Sequence, residues 1–166
     1  MKGRAEVMGK GGFDADYART IIAERVHLDG ALLPIFHALQ EAFGYIDEAA
    51  LPLLADALNL SQAELRGTIS FYHDFRSAPA GRHVLKICRA ESCQSMGSDQ
   101  LVQHLTHMHR LAPGTTSADG GLTVENVYCL GHCASSPAVM FDGEPMARVG
   151  TTQLDAIVLE ATGVRA

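Results

Sequence analysis

Four cysteines, all in the second half of the chain, restrict what it can fold into. Cys88 and Cys93 have four residues between them, Cys129 and Cys133 have three, and 35 residues separate the two pairs. Each pair opens where a short apolar run closes: His83-Val84-Leu85-Lys86-Ile87 leads into Cys88, and Leu122 to Tyr128 leads into Cys129. Apolar runs of this length, bounded by turn residues, read as buried strands. Between them Leu101, Leu105 and Met108 mark a helix over about Gly97 to Leu111, and Ala112 to Gly121 reads as a Gly/Ser/Thr-rich loop. Strand, helix and strand in that order imply a parallel pair with a right-handed crossover. The C-terminal ends of parallel neighbours lie side by side, so both thiol pairs converge on one edge of a sheet.

Beyond the last cysteine, Ala138 to Phe141 and Pro145 to Val149 flank Asp142-Gly143, a strong hairpin signal because glycine accepts the positive φ of a tight turn. A final helix is expected from Thr152, with Asp155 three residues on and Leu154, Ile157, Val158 and Ala161 available for burial. The order βαβ–ββα describes an α/β sandwich of thioredoxin type.

The first half reads differently. Ala18, Ile22 and Val26 predict a helix over about Asp14 to His27, and Leu32, Phe36, Leu39 and Phe43 a second one stopped by Gly44. A third is expected near Asp47 to Leu58, with Pro52 delaying its start or kinking it. Ser61 and Glu64 stand in capping-box spacing before a fourth, which should bury Leu65, Ile69 and Tyr72. Ser77-Ala78-Pro79-Ala80-Gly81 marks a boundary. The expected organisation is a flexible tail over 1–13, a helical domain over 14–78 and the cysteine-bearing domain over 82–166.

The 166 residues can bury a real core, and 19% charged with 47% hydrophobic residues is ordinary globular composition. The net charge of −6 is spread over both halves without a basic patch, which makes nucleic acid and anionic membrane surfaces poor partners. Met1 to Asp16 is glycine-rich and holds no apolar stretch, so no secretory signal is read there and a reducing cytoplasm is expected. Structural disulfides are rare in that compartment.

Four converging thiolates in a reducing compartment call for a metal. Structural zinc favours tighter knuckles, often with histidine. The wider loops here, Arg89 to Gln94 and Leu130 to Ser136, are rich in small and polar residues whose backbone N–H groups can point inward. Hydrogen bonds to sulfur help set a cluster's potential, so a [2Fe–2S] centre fits better than zinc, with two disulfides or unrelated thiols as the remaining readings. Arg89, folded back, would add a positive charge. No pair has the two-residue spacing of the thioredoxin redox motif.

Cys88-x4-Cys93 with Gly97 after it, then Cys129-Leu130-Gly131-His132-Cys133 and Ser136-Pro137-Ala138-Val139-Met140, resembles the thioredoxin-like [2Fe–2S] ferredoxins. The resemblance runs from about Ile21 onward and takes in Ser70-Phe71-Tyr72 and Phe75. It implies an α+β fold: an N-terminal helical bundle followed by a thioredoxin-like α/β domain (βαβ–ββα) that carries one [2Fe–2S] cluster on Cys88, Cys93, Cys129 and Cys133. Phe71 to Arg76, Gly81-Arg82-His83 and Cys88 to Gly97 are most similar to the gamma subunit of soluble, molybdenum-dependent NAD formate dehydrogenase. The implied role is one-electron exchange with FMN on an NADH-binding flavoprotein subunit, beside a large subunit carrying the molybdenum cofactor. The helical half would be the docking surface. The equivalent subunit of an NADH:quinone oxidoreductase or an NAD-reducing hydrogenase is the alternative, and a zinc-stapled structural module the non-redox one. In the family His132 sits where many relatives have a small residue, and Pro137 matches a cis-proline position.

Other residues carry less. His104, His107 and His109 are read as an exposed polar face, since no carboxylate stands at helical spacing to complete a metal site. Gly9-Lys10-Gly11-Gly12 lacks the Walker A order and is read as tail. Phe71, Tyr72 and Phe75 are read as core or junction packing rather than a flavin box. No catalytic constellation emerges, which favours a carrier over an enzyme acting alone.

Overall fold

The structure, a computed structural model, describes residues 12–163. Gly9-Lys10-Gly11 and nearly all of the expected tail lie outside the described residues. The chain divides into two compact units, one up to Pro79 and one from Ala80.

The first unit is helical. α1 (Ala15–Ala23) starts at Asp14, whose carboxylate accepts the N–H groups of Asp16 at 2.9 Å and Tyr17 at 3.1 Å. It ends earlier than the expected His27. Past Glu24 three-residue bonds, Arg25 N–H to Ile22 O and Leu28 N–H to Arg25 O, mix with a last four-residue bond from Val26 N–H to Ile22 O, and Val26 is exposed. α2 (Leu32–Phe43) stops at Gly44, whose φ of +82° turns the chain out of the helix. α3 (Ala50–Leu58) holds Pro52 in its first turn, where the missing N–H had no partner to lose, so the helix starts at Ala50 rather than near Asp47. α4 (Gln62–Phe71) opens with the expected capping box: Glu64 N–H donates to Ser61 Oγ at 3.2 Å and Ser61 N–H to Glu64 Oε2 at 2.8 Å.

Ile22, Phe36, Leu39, Leu51, Leu54, Leu65 and Phe75 form one core. Each such side chain contributes roughly 1.5–3 kcal/mol by leaving water. Tyr72 does not join them. It caps α4 with extended backbone (φ −93°, ψ 95°), which carries its ring off the helix face and leaves it exposed. Ile69 is half-buried, and Phe71 is 74% exposed, so it takes no place in the helical unit's core. The Gln40 amide closes the unit, donating to Asp74 O and accepting the Arg76 N–H, both at 2.7 Å.

The second unit runs β1 (His83–Cys88), α5 (Glu91–Ser95), α6 (Ser98–Met108), β2 (Thr115–Thr116), β3 (Leu122–Val127), β4 (Ala138–Phe141), β5 (Glu144–Ala147) and α7 (Thr151–Thr162). The sheet order is β2-β3-β1-β4-β5. β1 and β3 are parallel and β1 and β4 antiparallel, as βαβ–ββα requires. Asp142 (φ +48°) and Gly143 (φ +88°) make the hairpin turn.

Three details differ from expectation. The helix predicted over 97–111 is shorter: His109 closes it and Arg110 takes a φ of +55°, while Met108, its last residue, is exposed. The short helix α5 and the two-residue strand β2 carry too few residues for a periodic signal. α7 begins at Thr151, and it is Gln153 whose side chain accepts the Gly150 N–H, at 3.1 Å, leaving Asp155 free to point elsewhere. Leu85, Ile87, Val124, Leu101, Leu105, Leu154, Ile157 and Val158 form this unit's core. Among the described residues no helix is long and apolar enough to cross a membrane.

Candidate metal centre

β1 places Cys88 at its last register position, opposite Val127, where β3 ends. The chain then turns with Arg89 N–H bonded to Val127 O at 2.7 Å, and α5 brings Cys93 back beneath Cys88. From β3 the chain passes Tyr128, 76% exposed, to Cys129. Cys129 adopts φ +102°, a region that L residues enter at a cost of order 1–3 kcal/mol. Gly131 (φ +79°) bends the loop so that its N–H donates to Cys129 Sγ at 3.4 Å. Cys133 opens a 3₁₀ turn over Cys133–Ser135 that leads into the cis Ser136–Pro137 bond. Two backbone bonds tie this loop to the end of the hairpin: Arg148 N–H to Ser135 O at 2.9 Å and Val149 N–H to Pro137 O at 3.0 Å.

All four predicted cysteines are brought together as two unlike pairs. Cys88 and Cys93 are each 2% exposed and pack with Ala138, against Ala90, Val127 and Leu130. Cys129 and Cys133 are exposed, their sulfurs 3.7 Å apart. Burial pushes the Cys88 thiol up. The N–H of Ala90, the Cys93 thiol and the N–H groups of Leu130 and Cys129 more than offset it, and the net direction is down. The Cys133 thiol is pushed up, first by its hydrogen bond to Cys129 and that neighbour's charge, then by burial and by the charges of Cys93 and Cys88. Each thiol therefore lies in the field of the others, and a cationic centre placed among them would favour their thiolate forms.

Two further observations bear on which centre fits. Among the described residues no three of these sulfurs lie within 4.8 Å of one another. Four sulfurs about 2.3 Å from a single zinc ion would stand about 3.8 Å apart. The donor set is all thiolate, and backbone N–H groups already point at Cys88 and Cys129. Both observations fit a two-iron, two-sulfide cluster, which needs wider-set thiolates and inward amides.

Sequence reasoning missed the hydroxyls that join the two loops. Ser92 Oγ and Ser136 Oγ lie 2.9 Å apart, and both reach the Cys133 carbonyl, at 2.9 and 3.0 Å. Cys93 Sγ donates to Ser136 Oγ at 3.4 Å. Serines this common in loops give no signal until the fold brings them together. Arg89 does not fold over the sulfurs: its guanidinium pairs with Asp99 at 2.8 Å, because the start of α6 offers a carboxylate close by. His132 is half-buried, and its carbonyl accepts the Ser135 N–H at 2.9 Å.

The histidine reading also needs correcting. His107 is exposed as expected, but His104 and His109 turn toward α7 and meet the carboxylate that was missing. Both Nε2 atoms contact Asp155 Oδ1, at 2.6 and 2.7 Å. Asp155 lies 51 and 46 residues away in sequence, so helical spacing gives no hint of it.

A unit that gathers four free cysteines at the ends of parallel strands points to a class, and the comparison with known sequences agrees. The profile of the family described as thioredoxin-like [2Fe-2S] ferredoxin matches residues 18–162, and the chain belongs to that family. Among its relatives, NADH-quinone oxidoreductase subunit 2 of Thermus thermophilus is 29% identical over 137 residues, covering 82% of this chain and 74% of that protein. NADP-reducing hydrogenase subunit HndA of Solidesulfovibrio fructosivorans is 27% identical over 132 residues, 80% of this chain and 77% of that one. A solved structure of an NAD+-reducing [NiFe]-hydrogenase in the air-oxidised state matches with a TM-score of 0.67 and 29% identity. That match covers 80% of this chain and 23% of the hydrogenase chain.

Proposed function

We propose that this chain is a one-electron carrier: Cys88, Cys93, Cys129 and Cys133 hold one [2Fe–2S] cluster, and the chain serves as the small subunit of a cytoplasmic, NAD(P)-linked oxidoreductase complex. The convergence of two thiol pairs at the adjacent ends of β1 and β3 carries this conclusion. Such a cluster, when bound, accepts and returns single electrons, whereas a flavin partner handles hydride pairs. The chain's own part is to hold and shield. The apolar wall of Ala90, Val127, Leu130 and Ala138 dries the inner thiols, and the Cys129–Cys133 loop faces outward. Exposed Met96 and Tyr128, on the loops that carry the thiols, offer apolar surface for the FMN- and NADH-binding subunit. In the helical unit over 14–78, Phe71 and Tyr72 do the same at the end of α4.

For the parent complex, Phe71 to Arg76 and Cys88 to Gly97 support a formate dehydrogenase, with a large subunit carrying the molybdenum cofactor. The relatives support a second reading, an NADH:quinone oxidoreductase or an NAD(P)-reducing hydrogenase. Iron, sulfide and zinc analysis of anaerobically purified protein, with an EPR spectrum after reduction, tests the carrier. Two irons and two sulfides per chain are expected, and zinc without iron would reject it. Proteins captured with the tagged chain in its native host, assayed with formate, with hydrogen and with NADH plus quinone, then separate the parent complexes.

A further inference from the structure

His104, His109 and Asp155 form a second cluster of metal-ligating groups, outside the cysteine centre. Their ligand atoms all lie within 4.8 Å of one another. We propose that this trio binds a zinc-class divalent cation, held by two imidazoles and one carboxylate with water in the fourth position, as a clasp between α6 and α7.

The spacing suits one ion. Ligand atoms about 2.0–2.2 Å from a tetrahedral zinc stand roughly 3.3–3.6 Å apart. The two Nε2 atoms already sit 2.6 and 2.7 Å from Asp155 Oδ1, so each has to give way by less than about 1 Å. The rings meet edge to face, with centroids 5.7 Å apart and planes at 67°, and so approach the carboxylate from different directions.

The scaffold holds them there. Leu101 and Leu105 beside the histidines on α6, and Leu154, Ile157 and Val158 around Asp155 on α7, belong to one buried core. The His109 N–H is fixed on Leu105 O at 3.1 Å. Ligands on packed helices are preorganised, which is what a tight site requires.

The donor chemistry selects the ion. Two imidazoles disfavour magnesium and calcium, which want oxygen alone. The three side chains are 22%, 5% and 43% exposed, so the site opens to solvent on the Asp155 side, where a water can complete the coordination of a bound ion.

The test is calorimetric titration of Zn²⁺ into the anaerobically purified full chain, with the visible absorption followed in parallel. His104→Gln and Asp155→Asn are compared with His107→Gln, on the same helix but outside the trio. Changes in the groups that merely support zinc ligands cost 10–100-fold in affinity, so losing a ligand should weaken binding at least about 100-fold. One equivalent is expected in the wild type and in His107→Gln. The two ligand variants should show that loss, and the visible absorption should not change. On the unmodified chain, the ring resonances of His104 and His109 should shift with Zn²⁺ while those of His107 stay. The proposal is overturned by no saturable uptake, by equal affinity in all variants, by unmoved His104 and His109 resonances, or by uptake that bleaches the visible absorption and so places the ion on the cysteines.

Discussion

Replacing Ser136 by Ala should loosen the cysteine centre without touching a ligand. Ser136 is 7% exposed, and its hydroxyl lies 2.9 Å from Ser92 Oγ, 3.0 Å from the Cys133 carbonyl and 3.4 Å from Cys93 Sγ. It therefore links α5, which carries Cys93, to the turn that carries Cys133. Its single proton serves one of the two oxygen contacts, so alanine removes one oxygen bond and the weaker sulfur contact. The Cys133 carbonyl keeps its bond from Ser92 at 2.9 Å, so no buried acceptor is orphaned. The loss is then that of the net bonds alone, about 1–2 kcal/mol. Release of the proposed cluster from between the loops requires them to part, and that energy falls on the opening equilibrium. A loss of this size corresponds to a 5–30-fold change. The assay is the bleaching rate of the visible absorption under excess chelator. Ser135→Ala is the control, because its hydroxyl makes only a 3.4 Å contact to His132 O. A Ser136→Ala rate within twofold of wild type would show that the hydroxyl bridge does not hold the loops and would refute the reasoning.

Four further outcomes are expected. Cys129→Ser should strip or weaken the cluster, read as a fall in iron per chain, and an unchanged iron content and spectrum would remove Cys129 from the ligand set. Ser61→Ala should cost about 1 kcal/mol of stability in chemical denaturation through loss of the α4 cap. Hydrogen bonds from the Ser61 N–H, then from its hydroxyl, hold Glu64 below the ordinary glutamate range. Its stabilisation should be complete above the ordinary value and be lost as pH falls through the lowered one, and Glu64→Gln should abolish that part of the acid dependence. Gly121→Ala should destabilise by roughly 1–3 kcal/mol, because a Cβ there would sit 2.8 Å from the Ala161 backbone carbonyl, which α7 holds in place. A melting temperature equal to wild type would contradict that packing.

Much of the cysteine unit was legible because its signals are local. A strand's apolar run, the turn at Asp142-Gly143 and the position of a cysteine at a strand end are each written within a few consecutive residues. The parallel pairing of β1 with β3 follows from the chirality of a crossover, which is a general rule. The helical half was legible where periodicity or capping chemistry spoke, at Leu32 to Phe43 and at Ser61 with Glu64. It failed at Val26 and Tyr72, which lie just beyond the ends of α1 and α4, where the apolar pattern continues and the helix does not.

The spacing and placement of Cys88, Cys93, Cys129 and Cys133 thus foretold the sheet edge at which the four thiols gather, because sequence distance and strand direction suffice for that. Which pair is buried, which hydroxyls join the loops, where Arg89 points and what His104 and His109 face were decided only in three dimensions. Arg89 meets Asp99 close by in the chain, but the hydroxyls and histidines depend on partners far away: Ser92 is 44 residues from Ser136, and His104 is 51 from Asp155. Contacts over such separations arise from the packing of whole elements, and packing has no period that a one-dimensional pattern can show.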